Sequence, residues 1–128
     1  MNNILVTNNP DVRDKFNDKF QVHFLDGKGY IEVLQYTRDK IHEGHELLTH
    51  PLSGSIKPNE TPYKSIIISS KKGNLDTSGL AIVEDSILSA RKFITNKPTP
   101  SWPEHVLEDF RVIDLSLMEN VIEKLGHN

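Results

Sequence analysis

The apolar positions of this chain fall in short runs separated by Asn, Pro and Gly, and the period within each run distinguishes strand from helix. Ile4-Leu5-Val6 is an aliphatic run halted by Thr7-Asn8-Asn9-Pro10, which predicts a buried strand over 4–7. Asn9 before Pro10 has the form of a helix N-cap followed by proline at the first helical position. Val12 and Phe16, four apart, give a short helix from Pro10 to about Asn17 an inward face. Phe20-Gln21-Val22-His23-Phe24 alternates with period two and predicts a strand over 21–25. After the turn Asp26-Gly27-Lys28-Gly29 the spacing becomes helical. Tyr30, Leu34, Thr37 and Ile41 share a face, so a helix is expected over 30–43, with Gly44 as its stop.

His45-Glu46-Leu47-Leu48-Thr49 reads as a short third strand, and Ser65-Ile66-Ile67-Ile68-Ser69 as the clearest strand of all. Between them lie three prolines, which exclude a regular helix or a central strand. Leu80, Val83, Ile87, Ala90 and Ile94 form a 3–4 stripe that predicts a helix over 78–95. The segment 96–103 is a Pro-rich connector. Beyond it the pattern predicts a short helix over 103–109, a fifth strand at Phe110-Arg111-Val112-Ile113-Asp114, and a last helix opened by the capping box Ser116/Glu119 and running through Leu125.

Strands alternating with helices imply a single three-layer α/β domain over 1–128. The expected architecture is Rossmann-like: a mainly parallel sheet of four or five strands with helices on both faces. The connection from the third strand to the fourth carries no helix, so the direction of the strand at 65–69 is left open.

Composition narrows the chemistry. Leu, Ile, Val and Phe make up 38 of 128 residues, well above the roughly 20% typical of disordered chains. With no cysteine, disulfides, thiolate metal sites, Cys nucleophiles and dithiol redox chemistry are excluded. A net charge of −3 gives no basic excess for nucleic acid. No signal peptide or membrane-length apolar run is visible, so the expectation is a cytoplasmic protein with no membrane partner. Neither the dinucleotide glycine fingerprint nor the Gly-x-x-x-x-Gly-Lys phosphate loop is present, and no cofactor is expected.

In open α/β sheets ligands bind beyond the carboxyl ends of the strands. By this reading Asn8 and Asn9 lie there, and so does the long loop 49–65. Irregular connections of this length are uncommon in compact domains and often functional. Thr49, Ser53, Ser55, Thr61 and Ser65 offer hydroxyls, Gly54 permits close approach to the backbone, and Lys57 and Lys64 supply positive charge. Such a set suits a small anion or phosphorylated metabolite, while the same residues also suit an ordered surface loop. His50 and Glu60 are a candidate acid/base pair. Ser53 lacks the Gly-x-Ser-x-Gly context of a nucleophile elbow. His42, His45 and His50 cluster in sequence, but they fall on different elements, so no metal site is expected. Trp102, between prolines, reads first as a packing anchor.

The segment from Leu48 to Ser65, with Thr7-Asn8-Asn9-Pro10, resembles the GrdX family of small bacterial proteins encoded beside glycine, sarcosine and betaine reductase systems. The resemblance reaches to about residue 95. It implies an association with that pathway and carries over no catalytic residue. Glycine reductase chemistry relies on selenocysteine and cysteine and yields acetyl phosphate; a chain with neither residue is not itself a redox or acyl-carrying subunit. Three expectations follow: an accessory or regulatory protein binding a small anion at Asn8, Asn9, Thr49, His50, Ser53, Gly54, Ser55, Lys57, Glu60 and Lys64; a small enzyme using His50 and Glu60; or a scaffold that binds a reductase component.

Overall fold

The computed structural model describes residues 2–52 and 56–126. Three strands and four helices follow one another as β1 (Ile4–Thr7), α1 (Pro10–Phe16), β2 (Gln21–Phe24), α2 (Tyr30–His42), β3 (Ser65–Ile68), α3 (Thr77–Asn96) and α4 (Glu104–Lys124). The sheet order is β2-β1-β3. β2 runs parallel to β1, and β3 runs antiparallel with Thr7 opposite Ser65 and Ile4 opposite Ile68. The Rossmann-like expectation of four or five mainly parallel strands is therefore corrected to a three-stranded mixed sheet.

Two predicted strands are absent, each for a physical reason. Residues 46–49 do lie along the free edge of β3, with Leu48 N donating to Ile67 O at 2.9 Å and Ser69 N to Glu46 O at 2.8 Å. The ladder is interrupted because Leu47 N turns to the Asp76 carboxylate (3.0 Å) and Ile67 N is received by the Thr49 hydroxyl instead of a carbonyl (3.0 Å). Only an isolated bridge, Leu47 with Ile68, remains. The predicted fifth strand at 110–114 is helical, and with the short helix before it and the capping-box helix after it forms the single helix α4. Its buried positions Asp114, Met118 and Ile122 recur every four residues. The first of them is an acid, so the apolar stripe looks broken in the sequence.

The pleat of the sheet divides the core. Ile4, Val6, Ile66 and Ile68 pack with Val33, Leu34, Ile41, Val83, Ile87 and Ala90 of α2 and α3. Leu5 and Ile67 face the other way, onto Val12 and Phe16 of α1 and Met118 and Ile122 of α4. Alternate residues of each strand point to opposite faces, so β1 and β3 are buried on both faces, while the edge strand β2 is only partly covered. Gly44 ends α2 with φ 109°, and a Cβ there would stand 2.7 Å from Gly73 O, so only glycine suits both the turn and the close approach. No helix among the described residues is long and apolar enough to cross a membrane.

Candidate functional site

The antiparallel course of β3 places its first residue, Ser65, beside the last residue of β1, Thr7. The carboxyl end of β1 and the end of the long loop thus meet, and a buried polar network forms there. Asn9 N donates to Thr7 Oγ1 at 3.0 Å, the Thr7 and Ser65 hydroxyls lie 2.7 Å apart, and Ser65 Oγ donates to Asp114 Oδ2 at 2.8 Å. Ser65 has one proton, already directed at Asp114, so Thr7 donates to Ser65. Asn9 Nδ2 also donates to Asp114 Oδ2, at 3.0 Å, and to Arg111 O at 3.0 Å, while Asn9 Oδ1 caps α1 by accepting from Asp11 N.

Asn8 performs a similar stapling task on the loop. Its Nδ2 donates to Pro62 O (2.8 Å) and Lys28 O (2.9 Å), and its Oδ1 accepts from Lys64 N (2.9 Å). Both asparagine amides are thus engaged within the fold at the nitrogen and at the oxygen. Asn8 thereby fixes the backbone of Lys64, whose side chain is buried. The Lys64 ammonium stands 5.9 Å from the centre of the Tyr30 ring. Among the described residues no carboxylate lies within 4.0 Å of it. Burial lowers its pKa, and the charge of Asp114 raises it in part. Burial likewise raises the pKa of Asp114, against the bonds from Asn9 and Ser65 and the charge of Lys64. Burial favours the neutral form of each group.

Lys64 and Asp114 line one cavity together with Tyr30, Thr61, Tyr63 and the α4 side chains Phe110, Ile113 and Leu117. Its volume is about 20 Å³, which is room for about one water. Tyr63 closes one side, and its hydroxyl accepts from Arg111 at 2.9 Å while Arg111 also pairs with Glu104 at 2.6 Å. Beyond Tyr63 an open cleft of about 430 Å³ lies at the carboxyl ends of β1 and β2, with Arg13 and Lys28 on its walls.

The other residues expected in a ligand site lie apart from this cluster. Thr49 is buried, with its hydroxyl accepting from Ile67 N. His50 is exposed, and its Nδ1 accepts from Leu52 N at 3.1 Å. Lys57 and Glu60 line a separate depression with Asn59, Lys97, Pro100 and Trp102, so Glu60 and His50 do not share a site. Ser53, Gly54 and Ser55 lie outside the described residues. Trp102 does anchor packing: its Nε1 donates to Glu60 O at 2.7 Å and its ring meets Phe110. Sequence reasoning missed Asp114, Arg111 and Tyr30. The signal that marks Asp114 is its four-residue spacing to Phe110, Met118 and Ile122, an acid on what is otherwise an apolar face.

A family model described as GrdX-like protein matches residues 4–123, so the match includes α4 and extends past the point near residue 95 where the resemblance in sequence stopped. No curated protein and no solved structure matches the chain.

Proposed function

The chain belongs to the GrdX-like protein family, and from this premise we propose that it is a non-catalytic accessory or regulatory protein of glycine reductase systems that binds a small anionic ligand beside Lys64. The observation that carries the reading is a buried ammonium with no carboxylate in direct contact among the described residues. A buried charge lacking a close partner is costly, and an anion seated against it offsets that cost. Hydroxyls of Thr61, Tyr30 and Tyr63 border the same cavity and supply the neutral donors an oxyanion needs.

The cavity as it stands has room for about one water, so it must widen to seat even a carboxylate or phosphate head group. Entry requires the wall formed by Ile56 and Tyr63 to part from α4, and the Arg111–Tyr63 hydrogen bond is the contact that resists. The family's pathway directs attention to its small carboxylates and acyl phosphates. The loop residues Ser53, Gly54 and Ser55 are not needed for this version of the site, and the charge comes from Lys64 in preference to Lys57.

Titration with acetate, inorganic phosphate and acetyl phosphate, followed by backbone NMR shifts, tests the reading. Saturable shifts are expected at Thr61–Ser65 and Asp114. A hydrogen bond to a charged group contributes roughly 1.5–3 kcal/mol, so Lys64→Met, which keeps the bulk and removes the charge, should weaken binding by about ten- to a hundredfold. If no anion at millimolar concentration moves these resonances, or if Lys64→Met binds as well as the parent, there is no anion site here.

A further inference from the structure

Lys64 and Asp114 line the same cavity of about 20 Å³ and are 7% and 6% exposed. Each keeps one polar atom unpaired. Lys64 Nζ has no hydrogen bond or ion pair among the described residues, and its neighbour is the face of the Tyr30 ring. Asp114 Oδ2 accepts from both Asn9 Nδ2 (3.0 Å) and Ser65 Oγ (2.8 Å), which leaves Oδ1 without a hydrogen bond among the described residues. Neither atom is sealed off: among the described residues the one unpaired side-chain atom that is fully enclosed is Asn59 Oδ1.

A buried amine and a buried acid on one water-sized space form a reactive set. Burial lowers the pKa of Lys64 and raises that of Asp114, so it favours passage of the ammonium proton to the carboxylate. With Oδ2 already accepting two hydrogen bonds, that proton belongs on Oδ1. An uncharged lysine in an apolar setting is a nucleophile towards carbonyl carbon, and a nearby carboxylic acid can carry the protons that imine formation moves.

A carbonyl placed next to a carboxylate suits this arrangement. The carboxylate occupies the anion site proposed above, on which this inference rests. The carbonyl carbon is then the adjacent atom, within reach of the same Nζ. We propose that the cavity takes a small 2-oxo acid and that Lys64 captures it as an imine. Nζ attacks the carbonyl carbon, Asp114 gives its proton to the carbonyl oxygen, and the nitrogen returns one proton to Asp114. The resulting hydroxyl takes the Asp114 proton and leaves as water while the nitrogen lone pair closes the C=N bond. A protonated imine and the Asp114 carboxylate remain, and no oxidant or reductant is consumed. Entry is by the same parting of Ile56 and Tyr63 from α4 that an anion requires.

Incubating the full chain with glyoxylate and sodium cyanoborohydride, which reduces an imine to a stable amine, leaves a carboxymethyl group on the lysine that reacted. Peptide mass mapping is expected to find Lys64 labelled at least about tenfold faster at neutral pH than any exposed lysine, whose amine is almost wholly protonated there. Acetaldehyde, which has no carboxylate, should lose that preference. Asp114→Asn should slow Lys64 labelling about tenfold or more and leave the exposed lysines unchanged. The label is located in the parent chain, so a variant that fails to fold does not remove the test. No label at Lys64, labelling spread evenly over the lysines, or the same preference with acetaldehyde would each overturn the proposal. Saturable acetate shifts at Thr61–Ser65 with no label at Lys64 would reject the imine and leave the anion reading standing. A Lys64 label from glyoxylate with no response to acetate or phosphate would support the imine and count against the anion reading alone.

Discussion

Asp114 binds three segments of the chain through one carboxyl group, accepting from Asn9 on the β1–α1 connection and from Ser65 at the start of β3 while itself standing on α4. Its pKa is raised from 3.8, first of all by burial, so the folded chain keeps the proton to higher pH than the unfolded one. Between the unfolded and folded values the native state binds more protons, and stability falls as pH rises through that window; the full contribution is present only below the unfolded value. Lys64 is lowered from 10.5 by burial. The unfolded state then binds more protons in the window beneath 10.5, and stability rises with pH there. Asp114→Asn keeps an acceptor for Asn9 and Ser65 and removes the acid titration. Urea denaturation from about pH 3.5 to about pH 7 should show the parent losing stability relative to Asp114→Asn as pH increases. A difference that does not change with pH would mean that the carboxyl is not perturbed. At this scale the sequence was partly legible. Asn8, Asn9 and Lys64 could be picked out as polar residues next to strand ends. Asp114, the partner of Asn9 and Ser65, could not, because tertiary packing draws it in from a distant part of the chain, 105 residues from the one and 49 from the other.

At the scale of elements, the strong periodic signals gave the right objects: the helices expected at 30–43 and 78–95 are found at Tyr30–His42 and Thr77–Asn96. The short apolar runs were ambiguous, as runs too short to show a period are. Phe110-Arg111-Val112-Ile113-Asp114 has the aromatic and β-branched content of a strand, yet Val112 and Ile113 are exposed on the helix while Asp114 is buried. Leu47 and Leu48 resemble a strand and lie on a sheet edge, but side chains take over the bonds that would extend the ladder. The Thr49 hydroxyl is the clearest of these replacements. Thr49→Val keeps the shape and removes the acceptor for Ile67 N, leaving a buried N–H unpaired. It should destabilise the fold by about 1–3 kcal/mol in chemical denaturation. A change under about 0.5 kcal/mol would show that another acceptor replaces the hydroxyl and that Thr49 does not set the edge of β3.

For the whole molecule, the decisive fact is that a sheet of three four-residue strands is covered on both faces. The face carrying Ile4, Val6, Ile66 and Ile68 was foreseeable, since its helices α2 and α3 have readable stripes. The opposite face was not, since α1 and the turn after it supply only Val12, Phe16 and Phe20, and Met118 and Ile122 complete the cover some hundred residues later. Segments beyond about residue 95 therefore complete the core. A chain ending after Asn96 would expose Leu5 and Ile67, both fully buried in the intact protein, and would leave the Ser65 hydroxyl and one Asn9 N–H without Asp114. Losing the packing of two large side chains costs on the order of 2–5 kcal/mol each, comparable with the 5–15 kcal/mol total stability of a typical protein. The truncated chain is expected to lose its cooperative urea transition while keeping some helical circular dichroism from α2 and α3. The full chain should unfold in one transition. A truncated chain that unfolds as cooperatively as the parent would show that α4 is an appendage, and that the Lys64 cavity, whose far wall is α4, is not part of the folded core.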